Sequence, residues 1–206
     1  MIDVSPLPHP DELGSRAETM ARLLRDVPVP FTRVVSLWVG YRVRREPRCP
    51  DRVHHLTARQ AQLMGGLPTG TPVTRREGYL VPYLGGGGPR LAAITALLHT
   101  SSLELDEPQH SELSRGYLPL GLLLNDARRV THYACPVAAG AADPDLDDPL
   151  PDEPGDVGVL RCQATLLSAG RPVALVRETV YEVTLTSRRP PDVLSHLHPP
   201  AHGLVS

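Results

Sequence analysis

Three observations predict an α+β domain with a single antiparallel sheet of about six strands and helices on one side. Several segments of strand length are apolar and rich in valine and threonine. Helical segments fall between them without a regular βαβ alternation. The last two strand-like segments, Val157–Ser168 and Pro172–Leu185, are joined only by the turn at Gly170, which makes a hairpin the simplest connection. The 206 residues suit one domain, and 41% hydrophobic residues suffice for a core.

Residues 1–10 are proline-rich and expected to be irregular. Asp11 is a fair N-cap, and Leu13, Ala17, Met20, Ala21, Leu23 and Leu24 recur at helical spacing, so a helix is expected over 11–26, ended by Pro28 and Pro30. The stretch 31–45, FTRVVSLWVGYRVRR, reads as a long strand with Val35, Leu37 and Val39 on one face. From Arg48 the chain reads as a loop, followed by a short helix capped by Thr57 and closed by Gly65-Gly66. A second long strand follows over 72–83. A glycine turn, Gly85 to Gly88, leads to a third strand over 90–99.

Beyond Thr100 the sequence is polar, with a short helix near 108–114. Leu118 to Leu124 form an apolar helix begun by proline, and Arg128–Cys135 a strand. Residues 138–156 form an acidic loop with seven carboxylates, and residues after 187 form a proline- and histidine-rich tail. One domain over 11–187 accounts for the patterned part of the chain.

Composition narrows the function. A net charge of -2 gives no reason to expect nucleic acid or an anionic membrane as a partner. No lysine occurs, and arginine binds planar carboxylates bidentately, so a carboxylate ligand is readily served. Cys49, Cys135 and Cys162 lack CxxC spacing and read as reduced thiols of a cytoplasmic protein. The N-terminus lacks the cationic start and apolar run of a signal peptide, and no apolar run approaches the ~20 residues of a membrane helix.

Metal binding has weak support. His54 and His55 are adjacent and face opposite ways in a strand; His196, His198 and His202 lie in the tail. No metal site and no cofactor are expected. Gly85 to Gly88 lacks the following Lys-Ser/Thr of a phosphate loop, and Ser101-Ser102, Ser168 and Cys162 lack the context of a nucleophile.

What stands out is charge inside apolar strands. Glu178 lies in PVALVRETVYEV, and Arg75-Arg76-Glu77 in PVTRREGYLVPY. Burying a charge is costly unless it is paired or used. Arg76 and Glu178 on neighbouring strands would make a pocket for a small anionic molecule; a structural ion pair is the plainer alternative.

The order of these segments resembles the chorismate lyase family and, more broadly, the chorismate lyase-like ligand-binding superfamily, which includes effector-sensing domains of some bacterial repressors. The resemblance spans about 11–185 and rests on Arg76-Glu77-Gly78-Tyr79-Leu80-Val81, Leu97 to Leu103, Leu118-Pro119-Leu120-Gly121 with Gly116 upstream, and Gly170-Arg171-Pro172 followed by Glu178. It implies a lyase that removes the enolpyruvyl group of chorismate, or a close relative, as pyruvate to leave a hydroxybenzoate, without metal or cofactor. Arg76 would bind a substrate carboxylate. Gly116, Leu118, Leu120 and Gly121 would help enclose the ligand, and Glu178 would move the proton. Such a lyase would serve quinone or secondary-metabolite biosynthesis. The spacing from Gly170 to Glu178 is one residue longer than in the best-known lyases, which makes Glu182 a reserve carboxylate. Arg161 is what remains of the family's Gly-Arg-Arg segment. The alternative within the same fold is a module that senses or carries a small acid without catalysis.

Overall fold

The computed structural model describes residues 10–83, 88–124, 126–137 and 156–187. The glycine turn at 84–87, most of the acidic loop and the histidine-rich tail lie outside them.

Helix α1 (Pro10–Asp26) buries Ala17, Met20, Ala21, Leu23 and Leu24 along one stripe, with Asp11 and Glu12 in its first turn and Arg25 in its last. The stretch expected as a long strand over 31–45 is instead helix α2 (Phe31–Val39) followed by strand β1 (Val43–Pro47). Phe31, Val34, Val35, Trp38 and Val39 are all buried, and their i, i+3, i+4, i+7, i+8 spacing is that of a helical stripe; on a strand they would divide between the two faces. The β-branched valines suggest a strand; burial of the whole stripe against the sheet overrides that preference. Gly40, at φ 80°, ends the helix by donating its N–H to the Ser36 carbonyl.

Strand β2 (Arg52–His55) falls where a loop was expected. It is a four-residue edge strand with a polar sequence, too short to show periodicity. Thr57 and Gln60 form a reciprocal capping box at the start of α3 (Ala58–Leu63). Strands β3 (Pro72–Pro82) and β4 (Ala92–Leu98) follow, then a 3₁₀ turn (Thr100–Ser102), α4 (Glu107–Arg115), α5 (Leu120–Leu123), β5 (Arg128–Pro136), β6 (Gly158–Ser168) and β7 (Arg171–Tyr181). Val183 and Leu185, expected to continue the last strand, lie in a short helix, α6 (Glu182–Thr186).

The seven strands form one antiparallel sheet in the order β1-β3-β4-β7-β6-β5, with β2 paired to the other half of β3. β6 and β7 are the expected hairpin. One face packs Leu80, Ala92, Val180 and Leu160 against Met20, Leu24, Val35 and Trp38 of α1 and α2. Further along that face, Ala96, Val176 and Ala164 meet Leu120 and Leu123 of α5. The opposite face carries Val73, Leu97 and Leu175, covered by Ala61 and Met64 beside the short α3. Between the two clusters of the first face lie the charged residues.

No helix among the described residues is long and apolar enough to cross a membrane. The three cysteines are free, and Cys162 is buried.

Candidate ligand site

Arg76 and Glu178 do not sit on neighbouring strands. β4 lies between β3 and β7: Arg76 is level with Ala96 and Val176, whereas Glu178 is level with Ile94, two residues further along. Two strand spacings of about 4.8 Å and one two-residue step of about 6.8 Å put the two backbones about 12 Å apart. Period-two alternation nevertheless turns both side chains to the helix-covered face.

Both residues line one cavity of about 510 Å³ of empty space, counted out to its mouth. Its sheet side is Arg76, Ile94, Ala96, Val176, Glu178 and Leu166, with Arg45 from β1. Its other side is Pro30, Phe31 and Thr32 at the start of α2 and Pro119, Leu120 and Gly121 at the start of α5. Apolar walls with a few convergent polar groups are the usual lining of a small-molecule site; the 510 Å³ takes in open solvent at the mouth, and the enclosed space is about 40 Å³.

Glu178 is not paired with Arg76. Arg129, on β5, donates from Nη1 to Glu178 Oε1 at 2.9 Å and from Nη2 to Oε2 at 2.7 Å. The Cys162 thiol, level with Glu178 on β6, donates to Oε2 at 3.1 Å. All three groups are buried. Burial is the largest single influence on Arg129 and works to lower its pKa, but the charge and hydrogen bonds of its neighbours, Glu178 foremost, together raise it, so the guanidinium stays charged. Burial, and then the Glu178 carboxylate, push the Cys162 thiol well above its ordinary range, which keeps it protonated. The Phe31 ring lies 5.8 Å from the Arg129 guanidinium.

Arg76 belongs to a different group. Its Nη2 donates to the Leu113 carbonyl at 3.1 Å, and its Nε stands 2.8 Å from Asp51 Oδ2, a charge contact in which the N–H is not aligned on the oxygen. Arg45 joins it, donating from Nη1 to the Gly116 carbonyl at 2.8 Å and from Nη2 to the Glu77 carbonyl at 2.7 Å, with Asp51 Oδ1 at 3.4 Å. Burial first, and then the Arg76 charge, lower the Arg45 pKa, opposed by Asp51. Two like charges are thus held together in a poorly hydrated place, an arrangement that favours an incoming anion.

Gly116 makes this pairing possible. It ends α4 at φ 76°, and a Cβ there would stand 3.2 Å from Arg45 Nη1 and 3.3 Å from Arg76 Nη2. It therefore acts on the arginines and is not part of the cavity wall. Leu118 packs with the core under α5, while Leu120 and Gly121 line the cavity.

The reserve residues fall away from the site. Glu182 begins α6 and does not share a strand face with Glu178. Arg161 is paired across β7 with Thr179, so it points to the opposite face of the sheet from Cys162 and Glu178. Glu77 faces that side too, taken by Arg75 Nε at 2.5 Å and Arg52 Nη2 at 3.1 Å. His54 contacts the Gln60 side chain at 2.9 Å, and His55 is exposed.

Sequence reasoning passed over Arg45, Asp51 and Arg129. Arg129 gave no comparable signal, because its strand, RRVTHYACP, is largely polar and exposed. A register shift between Thr131 and Tyr133 also breaks the alternation: counted back from the buried Ala134, period two would turn Arg129 outward.

No protein-family model matches the sequence, and no curated protein matches it. Among solved structures, the ligand-binding domain of a protein assigned to the GntR family of transcriptional regulators from Bordetella bronchiseptica is similar at 21% identity, over 66% of this chain and 83% of that one, with a TM-score of 0.41. A protein assigned as a transcriptional regulator from Streptomyces coelicolor is similar at 22% identity, over 67% of this chain and 88% of that one, with a TM-score of 0.37.

Proposed function

We propose that this chain is a binding domain for a small organic acid, which it senses or carries without transforming. The observation that supports this reading is the division of charge around one apolar cavity. Arg45 and Arg76 hold excess positive charge beside it, while both oxygens of its carboxylate, Glu178, are taken by Arg129. An acid's carboxylate would meet the arginine pair and its body would lie against Ile94, Ala96, Val176 and Leu120. A carboxylate held bidentately must loosen a charge-assisted bond, at about 1.5–3 kcal/mol, before it can move a proton.

The second reading is the lyase itself, acting on chorismate or a close relative. It draws support from Arg76 and Glu178 lining the same cavity, as the family resemblance implies. In it Arg76 anchors a carboxylate and Glu178 shuttles the proton of the elimination.

Incubation with chorismate, following pyruvate release, together with calorimetric titration of 4-hydroxybenzoate, separates the two. Binding of the aromatic acid without pyruvate release is expected. Steady release of pyruvate, reduced in Glu178→Gln, would overturn the binding-only reading.

A further inference from the structure

We propose that Asp51 sets the charge of the ligand at a single negative charge, so that the cavity selects monocarboxylates over dicarboxylates. The inference rests on the small-acid reading of the same cavity and adds to it the class of acid.

The argument is a count of charges. Arg129 and Glu178 form a bidentate pair and sum to zero. What remains is Arg45, Arg76 and the Asp51 carboxylate, whose oxygens stand 3.4 Å from Arg45 Nη2 and 2.8 Å from Arg76 Nε. The sum is one positive charge. Asp51 approaches the guanidiniums from outside the cavity, since it is not among the residues that line it. It therefore removes one charge without itself occupying the cavity that Arg45 and Arg76 line.

One ligand carboxylate balances the remainder. A second carboxylate would have to lie against Ile94, Ala96, Leu166 and Val176, or next to Glu178. Both places penalise it: the first by desolvation without a partner, the second because Arg129 is already committed to both Glu178 oxygens and leaves the newcomer beside a carboxylate with no counter-charge of its own. Chorismate carries two carboxylates, so the same count disfavours it relative to a singly charged aromatic acid.

Asp51 side-chain exposure is 37%, so its charge can be removed without opening the core. The test compares benzoate with isophthalate, which share a ring and differ by one carboxylate, in calorimetric titrations of the full chain and of Asp51→Asn. The wild-type protein is expected to bind benzoate more tightly than isophthalate. In Asp51→Asn the ratio of the two affinities should move toward isophthalate by at least about tenfold, because a unit charge a few ångströms away is uncovered. Asp51→Glu, which keeps the charge, should restore the wild-type ratio.

Benzoate binding with an equal or greater affinity for isophthalate in the wild type, or with the same ratio in Asp51→Asn, overturns the proposal and leaves the small-acid reading standing. Binding of neither acid overturns both. Should Asp51→Asn not fold, as judged by circular dichroism, Asp51→Ser makes the same charge change, and the wild-type ratio still decides.

Discussion

Arg129 grips both carboxylate oxygens of Glu178, at 2.9 and 2.7 Å, from the far edge strand of the sheet. β5 and β7 are separated by β6, so the pair spans three strands beneath α1 and α2. The arrangement accounts for a carboxylate inside an apolar strand without requiring that it react. It also makes the pair a point of weakness. Arg129→Met leaves the Glu178 charge buried with the Cys162 thiol but without a counter-charge, a change that costs about 3–5 kcal/mol. The double variant Arg129→Met/Glu178→Leu removes both charges and should regain most of that loss. Urea unfolding of the three proteins checks this; a single variant as stable as wild type would mean that the pair is not held as described.

Arg76 is expected to act differently. It is buried, but its counter-charge Asp51 is partly exposed and can be solvated when the guanidinium is removed. Arg76→Ala should weaken binding of a carboxylate ligand by about 1.5–3 kcal/mol, the worth of a charged hydrogen bond. Its loss of stability should be smaller than that of Arg129→Met. Titration of 4-hydroxybenzoate alongside urea unfolding reads both quantities, and an unchanged affinity would remove Arg76 from the site.

Gly116 gives a sharper test of the arginine pair. Gly116→Ala incurs the cost of a side chain at φ 76°, about 1 kcal/mol, and also drives a Cβ to 3.2 and 3.3 Å from the two guanidiniums. Gly70 is a control at φ 83° with nothing within 4 Å of its would-be Cβ. Gly70→Ala should lose similar stability and no ligand affinity, whereas Gly116→Ala should lose both. Equal ligand affinities in the two variants would show that the pair tolerates being pushed apart.

What was legible in the sequence follows from how local each signal is. Helix α1 and the hairpin β6–β7 were readable because their periodicity and turn chemistry are contained in one stretch. Thr57, with Gly65-Gly66 beyond it, announced α3 in the same way. Phe31–Val39 misled because the alternation of Val35, Leu37 and Val39 imitates a strand face, whereas the stripe that is buried, Phe31, Val34, Val35, Trp38 and Val39, has helical spacing. The site was half legible. Arg76 and Glu178 were visible as charges in apolar strands, and both reach the cavity. Their partners were not, because Asp51 with Arg76 and Arg129 with Glu178 are set by strand order, which places β4 between β3 and β7 and leaves β5 at the edge. Nothing in a single strand's sequence encodes its neighbours across the sheet.

The turn that leads into β7 carries its own pH dependence. Asp126 accepts from Ser168 Oγ at 2.9 Å and from the Ala169 N–H at 2.6 Å, bracing a turn in which Ala169 stands at φ 48°. The Ala169 N–H first, and then the Ser168 hydroxyl, hold the Asp126 carboxyl below its ordinary value of 3.8. A carboxyl with a depressed folded pKa binds fewer protons in the folded than in the unfolded chain, so its stabilisation is complete above the unfolded value. It is lost as pH falls through the lower folded one. Asp126→Ala removes the contribution at every pH. The gap in urea midpoint between wild type and Asp126→Ala should therefore be open at pH 7 and close as the solution is taken below about 3.8, the ordinary carboxyl value. A gap that stays constant into acid would mean that the ionised form is not what braces the turn. Amide exchange at Ala169 gives the local reading: it should be slow in the wild type at neutral pH and faster in the variant, because the N–H that Asp126 accepts is then free to exchange with water.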